Sequence, residues 1–270
     1  MTPGRLSVVV LAAGDGKRLG GEVPKPLARL DGRPLLAHVM NAVDALDHDR
    51  VVVVVGNGAD DVSVAALAHA RDPELVEFAR QPDRRGTGDA VAVGLARVPE
   101  RDPAGSAADP GDLVVVVPAD APLLTGATLR ALVDRHRRCA AAPAATLLSA
   151  RVPRPAGYGR IVRDADGTVA AVVEHRDADA AQLEIDEVNS SVYCFSASPL
   201  RAALAEVLAA AAGPAARGEV YLTDVVAVLR RRGHGVEAVV ADDPAEIMGV
   251  NDPEQLAACE TELRRRAARR

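Results

Sequence analysis

At 270 residues and 49% hydrophobic content, the chain is long enough to bury a substantial core as one large domain or two modest ones. Its 38 acidic residues against 32 basic ones give a formal charge of -6, which argues against a protein that binds nucleic-acid backbones through many Lys and Arg contacts. Aromatic residues supply only 2% of the chain, so Val, Leu and Ala must build the core.

The cysteine pattern and the absence of long apolar runs bear on the compartment. Cys139, Cys194 and Cys259 are far apart, giving neither a disulfide framework nor the close pairs of a zinc site. The N-terminus has no charged segment followed by an apolar run of signal-peptide length, and no run of about 18 apolar residues occurs. We therefore expect a cytoplasmic protein that neither spans a membrane nor binds nucleic acid.

Continuous β-branched runs in the first half predict strands that are buried on both faces. They cover residues 7–11, 51–55 and 113–117. Amphipathic stretches predict helices over residues 33–46, 60–70, 87–96 and 128–138. Because strands alternate with helices, right-handed crossovers and a parallel sheet are expected, so this half is predicted to be doubly wound α/β.

From residue 144 the pattern changes to strand-like segments with little helix between them, which predicts a smaller mixed β extension. These segments are AATLLSARV, GRIVRD, VAAVVEH and VNSSVYCF. Residues 159–174 are predicted to form a hairpin, with Asp166-Gly167 supplying the positive dihedrals of its turn. Further predictions are helices at 199–212, 220–232 and 252–266, a strand at 235–241, an exposed loop at 101–112 and a solvated basic helix end at 264–270.

The strongest local signal is the opening segment VVVLAAGDGKRLGGEVPKPL, residues 8–27. A buried strand runs into Gly14 and Gly16, which let the backbone approach a ligand and present bare N–H groups, as a phosphate requires. Arg18 and Lys25 add positive charge. Two familiar phosphate loops are excluded by spacing, because Leu19 stands where the dinucleotide fingerprint needs glycine and Arg18 where the P-loop needs Ser or Thr.

Seven further segments follow this loop. They are QPDRRGTGDAV, VVVPADAPLL, GYGRIVRD, VEHRDA, EVNSSVY, EVYLTD and GVNDPEQL. With LAAGDGKRL and PKPL, they make nearly the whole chain resemble the sugar-nucleotide pyrophosphorylases, most closely the uridylyltransferase domain of bacterial N-acetylglucosamine-1-phosphate uridylyltransferase. The resemblance implies a Rossmann-like, mostly parallel sheet in one domain, residues 1–270, with a nucleotide half at 1–143 and a sugar half at 144–270. The hexapeptide repeats of the β-helix acetyltransferase that follows in the resembled enzyme are absent from this sequence, so acetyl transfer is not expected.

The resemblance also implies which residues hold the nucleotide. Gln81 is assigned to uracil, and its amide offers donors and an acceptor that suit a base edge. Alternatively, Gln81 lies at the surface and Thr87 merely caps its helix. Asp89 departs from the family, in which histidine is usual, so uracil, thymine and guanine all remain open. The full nucleotide set is Leu11, Ala12, Ala13, Gly14, Gly16, Gln81, Gly86 and Thr87.

A divalent cation is expected where Asp120 follows the strand at 113–117. Carboxyl ends of parallel strands are where open α/β folds bind ligands, and magnesium needs only one or two protein oxygens plus substrate phosphates. The resemblance supplies Asn251 as the partner ligand for Mg2+. Alternatively, Asp120 caps a turn and Asn251 caps the helix after it.

The second half is expected to hold the sugar. Gly159 permits close backbone approach, and Glu174 and Asn189 offer hydrogen-bond partners for hydroxyl and acetamido groups. The resemblance makes these three contact an N-acetylhexosamine and places Thr223 near the same site. Ser191 departs from the family, which usually carries glycine there, so a relative of N-acetylglucosamine 1-phosphate is also open as the acceptor.

Together these residues predict an enzyme that joins a nucleoside triphosphate, most simply UTP, to a sugar 1-phosphate and releases pyrophosphate. Arg18 and Lys25 are the expected catalytic residues, since they place positive charge on the phosphates. One alternative keeps this chemistry with dTTP or GTP and another hexose or cyclitol 1-phosphate. A more distant one is a non-catalytic sensor of nucleotide sugars. The sequence does not set an oligomeric state.

Overall fold

The computed structural model describes residues 4–20, 23–100, 111–139, 142–212 and 218–268. Its strands are β1 (Leu6–Ala12), β2 (Arg29–Leu30), β3 (Arg33–Pro34), β4 (Arg50–Val55), β5 (Val76–Arg80), β6 (Leu113–Pro118), β7 (Ala145–Arg151), β8 (Arg160–Arg163), β9 (Val169–Val173), β10 (Glu187–Ser196) and β11 (Val236–Val240). Its α-helices are α1 (Leu35–Val43), α2 (Ala59–His69), α3 (Thr87–Leu95), α4 (Gly126–Arg138), α5 (Ala180–Leu183), α6 (Ala197–Ala211), α7 (Asp224–Arg231) and α8 (Pro253–Ala267).

Most of the strands join one sheet, in the order β11-β7-β10-β6-β1-β4-β5, with β8 and β9 attached beside β10. Strand β1 is parallel to β4 and β6, β4 to β5, and β11 to β7, whereas β10 is antiparallel to β6 and β7. The chain leaves β1 toward β4 and β5 and returns on the other side at β6, which makes a topological switch point where such sheets bind ligands. The predicted doubly wound sheet with a mixed extension is confirmed.

The valine runs form strands because both faces of the sheet are covered. Val8 and Val10 pack with α1, α2 and α4 on one face, while Val9 packs with α3, α6 and α7 on the other. All three side chains are fully buried. Strand β1 therefore contributes side chains to two hydrophobic cores, one on each face of the sheet. Within the part of the chain described here, no helix combines the length and apolarity needed to cross a membrane.

Several details differ from the sequence predictions. Strand β5 was not predicted, because its sequence VEFAR is mixed and it lies at the sheet edge. Helix α7 begins at Asp224 rather than at 220, because the backbone groups of Val220 and Leu222 form hydrogen bonds with the first turn of α3. In the confirmed β8–β9 hairpin only Gly167, not Asp166, has a positive φ (83°). The predicted loop at 101–112 lies outside the described residues, apart from 111 and 112.

The C-terminal helix α8 packs against the segment that follows Lys25. A third core cluster joins Leu30, Leu35, Leu123, Val250 and Cys259. The predicted solvated end of this helix is wrong for one residue: the Arg266 guanidinium is half-buried, donates to the Leu123 carbonyl at 2.7 Å and pairs with Asp243 at 2.9 Å. Helix α8 thus packs against the segments that flank the site described below.

A buried histidine in α4 makes folding sensitive to acid. His136 contacts the hydroxyls of Thr146 (2.9 Å) and Ser196 (3.2 Å), and burial, with a smaller contribution from Arg137, lowers its pKa to about 4. Because the folded pKa is below the unfolded value, the neutral ring stabilises the fold above about pH 6.5, and that stability is lost as the pH falls toward 4.

We expect this one group to remove roughly 2 to 3 kcal/mol of unfolding free energy between pH 7 and pH 4.5. Urea unfolding of the wild type and of His136→Gln at both pH values measures it. The variant is expected to be less stable at pH 7 but to lose clearly less stability on acidification. Equal losses in the two proteins would show that His136 does not titrate in this way.

Candidate active site

A cavity of about 490 Å3 opens at the carboxyl ends of β1 and β6, at the switch point of the sheet. Most of the residues predicted for phosphate, base, cation and sugar contact line it. They are Leu11, Ala13, Gly14, Lys25, Gln81, Gly86, Thr87, Asp120, Gly159, Glu174, Asn189 and Asn251. Ala12, Gly16, Arg18 and Thr223 do not line it, although Gly16 and Thr223 contact residues that do.

The glycine loop after β1 folds against the lysine of the Pro-Lys-Pro segment. Gly16 has a φ of 68°, and a Cβ there would lie 3.0 Å from the Lys25 backbone nitrogen. A Cβ on Gly14 would lie 3.4 Å from Lys25 Cδ. A larger residue at 16 would therefore need both a strained backbone and a displaced lysine segment. The loop and Lys25 form one wall of the cavity.

Lys25 lies between the two residues predicted to bind a cation. Its ammonium forms an ion pair with Asp120 and donates to Asn251 Oδ1 at 2.6 Å. The backbone N–H of Val250 donates to the Asp120 carbonyl at 2.9 Å, which ties the two loops together. Neither residue acts as the predicted alternative cap. The cap of α8 is Asp252, whose carboxylate accepts from the Gln255 N–H at 2.8 Å.

The donor set of this pair fits a hard divalent cation. A carboxylate oxygen and an amide oxygen converge on one positive group, here the Lys25 ammonium, and such oxygens are the ligands that Mg2+ prefers. Across the described ranges, no group of three or more His, Cys, Asp or Glu side chains could hold a metal ion. Asp120 and Asn251 would therefore leave most of the coordination shell to substrate phosphates and water.

The base end of the cavity is formed by the loop after β5. Gln81 is 6% exposed, so it is not the surface residue of the alternative interpretation. Its side-chain Nε2 donates to Asp89 Oδ2 at 2.8 Å and to the Gly86 carbonyl at 3.2 Å. Gly86 has a φ of 110°, and any Cβ there would collide with the Val220 carbonyl. The Thr87 hydroxyl does not cap α3; it accepts from the Leu222 N–H at 3.1 Å.

The sugar end presents acceptor oxygens. Glu174 Oε1 accepts from the Thr223 hydroxyl at 2.9 Å, and burial raises the pKa of this carboxyl. Asn189 Nδ2 donates to the Tyr193 hydroxyl at 2.7 Å, and Asn189 Oδ1 is buried with no partner in the described part of the chain. A Cβ on Gly159 would lie 3.6 Å from Glu174 Oε2. Thr223 therefore orients Glu174, while Glu174 and Asn189 face the cavity.

Some residues at the cavity were not predicted. Arg84 pairs with Asp15 of the glycine loop, which links the phosphate and base ends. Tyr158 and Glu219 also line the cavity. Arg84 lies inside the segment QPDRRGTG, and its positive charge beside a glycine turn is a signal that sequence inspection can use. Conversely, Arg18 is exposed and has no ion pair or hydrogen bond with the described residues.

Ser191 stands where the resembled family usually carries glycine, and its backbone has a left-handed conformation that favours glycine. Ser191 has a φ of 62°, lies where the β10–β7 register shifts, and lines the cavity. We expect Ser191→Gly to raise the free energy of unfolding by about 1 kcal/mol, because the left-handed backbone no longer carries a Cβ. Chemical denaturation measures this change.

The neighbouring Ser190→Gly is a matched control. The Ser190 hydroxyl donates to the Leu148 carbonyl at 2.7 Å and accepts from the Val192 N–H at 3.1 Å. Its replacement is therefore expected to destabilise the protein. A destabilised Ser191→Gly variant would contradict the strain at position 191.

Comparisons with known proteins place the chain in a family. The model of the MobA-like NTP transferase domain family matches residues 8–218. The chain is 45% identical over 252 residues to the bifunctional protein GlmU of Streptomyces coelicolor (93% of this chain, 49% of that protein), and 42% identical over 262 residues to GlmU of Corynebacterium glutamicum strain R (96% and 51%). It thus spans about half the length of these relatives.

A solved structure shares the fold. The 4-diphosphocytidyl-2C-methyl-D-erythritol synthase of Anaerococcus prevotii DSM 20548 aligns with a TM-score of 0.65 over 97% of this chain and 96% of its own, at 14% identity.

Proposed function

Because the chain belongs to the MobA-like NTP transferase domain family, we propose that it transfers UMP from UTP to N-acetylglucosamine 1-phosphate and releases pyrophosphate. The observation that carries this proposal is the meeting, in one cavity, of a glycine loop, the Lys25–Asp120–Asn251 cluster and the acceptor residues Glu174 and Asn189. Residues 1–143 would serve the nucleotide and residues 144–270 the sugar, within one domain. The proposal keeps the cytoplasm as the expected compartment.

The reaction requires positioning and charge neutralisation more than proton transfer. A phosphate monoester with a second pKa near 6 is mostly dianionic at neutral pH, so the attacking oxygen needs no protein base. It would attack the α-phosphorus in line, the bond to the β-phosphate oxygen would break, and pyrophosphate would leave with that electron pair. The absence of a Ser-His or Cys-His pair among the residues that line the described cavity fits this chemistry.

Three groups of this chain would neutralise the phosphates. Lys25 would contact them from the wall of the cavity, next to the backbone N–H groups of the glycine loop. Asp120 and Asn251 would hold Mg2+, whose charge stabilises the transferring and leaving phosphates. Arg18 is exposed at the edge of this loop, so its role requires the side chain to turn toward the departing pyrophosphate.

The acceptor oxygens support an amino-sugar derivative. Asn189 Oδ1 is buried and has no donor in the described chain, so a bound ligand that brings an N–H or O–H group would satisfy it. Glu174 can accept from a sugar hydroxyl beside it. An N-acetylhexosamine supplies both kinds of donor. The Ser191 side chain narrows the same region and would favour particular sugars over others.

Release of pyrophosphate in the presence of Mg2+ tests the proposal. UTP, dTTP, GTP, CTP and ATP would each be combined with N-acetylglucosamine, glucosamine, glucose and N-acetylgalactosamine 1-phosphates. Turnover with UTP and N-acetylglucosamine 1-phosphate is expected to exceed the other pairs. Turnover only with another pair would support the proposed reaction but show that the proposed substrates are wrong. Nucleotide binding without pyrophosphate release from any pair would indicate a sensor.

A further inference from the structure

The side-chain amide of Gln81 is held in one orientation by its neighbours. Asp89 Oδ2 and the Gly86 carbonyl lie 2.8 Å and 3.2 Å from the same side-chain nitrogen. A carboxylate and a carbonyl can only accept hydrogen bonds, so both protons of the Gln81 NH2 group must face them. The reversed amide would place its oxygen against two other acceptors. Its orientation is therefore fixed before any ligand binds.

This orientation leaves an acceptor on Gln81 and a donor on Gly86, two residues that line the same cavity. Gln81 Oε1 has no hydrogen-bond partner within the described ranges, and neither does the Gly86 backbone N–H. Both residues line the cavity. A ligand that satisfies both must present an acceptor next to a donor, in one order only.

We propose that Asp89 is a positioning residue that makes the site select bases with a keto–imino edge and reject bases with an amino group there. This inference rests on the proposed nucleotidyltransferase function. Uracil and thymine offer O4 beside N3–H, and guanine offers O6 beside N1–H, which match the Gly86 N–H and Gln81 Oε1. Cytosine and adenine present an amino donor beside a ring-nitrogen acceptor, which is the reverse order.

Asp89 acts through Gln81 rather than by touching the base. It is half-buried in the first turn of α3 and does not line the cavity. The nearby Thr87 hydroxyl already accepts from the Leu222 N–H. The Gln81 amide thus sets which hydrogen-bonding group faces the base. The Asp89 carboxylate sets the orientation of that amide, because it can only accept hydrogen bonds.

The test compares Asp89→Asn and Asp89→Leu with the wild type. An asparagine can donate as well as accept, and a leucine can do neither, so each variant lets the Gln81 amide turn over. Dissociation constants for UTP and CTP would be measured by equilibrium dialysis without sugar phosphate, together with kcat/KM for pyrophosphate release from each. Asp83→Asn removes an exposed carboxylate from the same loop and is the matched control.

The wild type is expected to prefer UTP over CTP by about 100-fold or more. Both Asp89 variants are expected to shrink this ratio at least about tenfold, with thermal unfolding measured to check that they fold, and Asp83→Asn is expected to keep the wild-type ratio. An unchanged ratio in both Asp89 variants, or a wild type that prefers CTP or ATP, would overturn the proposal.

Failure of the catalytic assignment would look different. If pyrophosphate is never released but the binding ratio depends on Asp89, the base selection stands and the proposed reaction is wrong. If pyrophosphate release is efficient and the preference for UTP over CTP does not change in the Asp89 variants, the proposed reaction stands and the proposed base selection is wrong.

Discussion

Replacing Lys25 with alanine is expected to lower kcat by about 10^2- to 10^3-fold, the cost of removing a preorganised charge from a transition state. The dissociation constant for UTP is expected to rise much less, because the residues at the base end of the cavity and the glycine loop still hold the nucleotide. The ammonium is oriented by Asp120 and Asn251 and lies against the loop, so its charge is in place before the phosphates arrive. Initial rates of pyrophosphate release and equilibrium binding of UTP separate the two effects.

Arg29→Ala is the control for removing a positive charge from the same segment. Arg29 is exposed and donates only to the Gly32 carbonyl, at 2.7 Å, among its described contacts. It is expected to leave turnover unchanged. A Lys25→Ala variant that keeps near-normal turnover would remove Lys25 from the mechanism.

Asp120→Asn is expected to lower kcat/KM by about 100-fold or more and to raise the Mg2+ concentration that gives half-maximal rate. The substitution keeps the shape of the side chain but removes the negative charge that faces the cation. The site would then offer only neutral amide oxygens to the metal and to the Lys25 ammonium. The effect is measured by Mg2+ titration of pyrophosphate release at fixed substrate concentrations.

A second readout does not depend on turnover. Electron paramagnetic resonance of Mn2+ in the presence of a non-hydrolysable UTP analogue is expected to show weaker metal binding in Asp120→Asn than in the wild type. Asp134→Asn, which removes an exposed carboxylate of α4 that pairs with Arg138, is expected to bind Mn2+ as the wild type does. Equal Mn2+ binding in Asp120→Asn and the wild type would rule out Asp120 as a metal ligand.

The centre of the fold could be predicted because its strands are buried on both faces. The uninterrupted valine runs at 51–55 and 113–117 have no alternation to misread, and they became β4 and β6 within one residue. Strand β5 could not be found this way, because it is an edge strand whose residues are mostly half-exposed. The start of α7 was misplaced because the backbone of Val220 and Leu222 bonds to residues more than a hundred positions earlier.

The residues of the site were predicted more by resemblance than by local pattern. Lys25 and Asn251 are 226 positions apart, and no periodicity links them. Local rules left a helix-cap role open for Asn251, but the helix cap is its neighbour Asp252. The glycine loop gave the strongest local signal, because a buried strand that ends in two glycines, with Arg18 and Lys25 after it, is the pattern that a phosphate requires.

Contacts between side chains of different loops could not be predicted from the sequence. The departure at Asp89 was visible, but its contact with Gln81 depends on how the loop after β5 returns to the first turn of α3. In the same way, the link between Asp15 and Arg84 requires two loops to meet at the switch point of the sheet. Such contacts depend on tertiary geometry, and they orient the groups that face the cavity.

The most direct test of the proposed reaction is to observe both products together. Phosphorus NMR of the protein with UTP, N-acetylglucosamine 1-phosphate and Mg2+ is predicted to show the paired diphosphate signals of a nucleotide sugar and the single signal of pyrophosphate. These are predicted to grow in equal amounts as the sugar 1-phosphate signal disappears. Loss of UTP to UMP or free phosphate with the sugar phosphate untouched, or no change despite nucleotide binding, would contradict the proposed transfer.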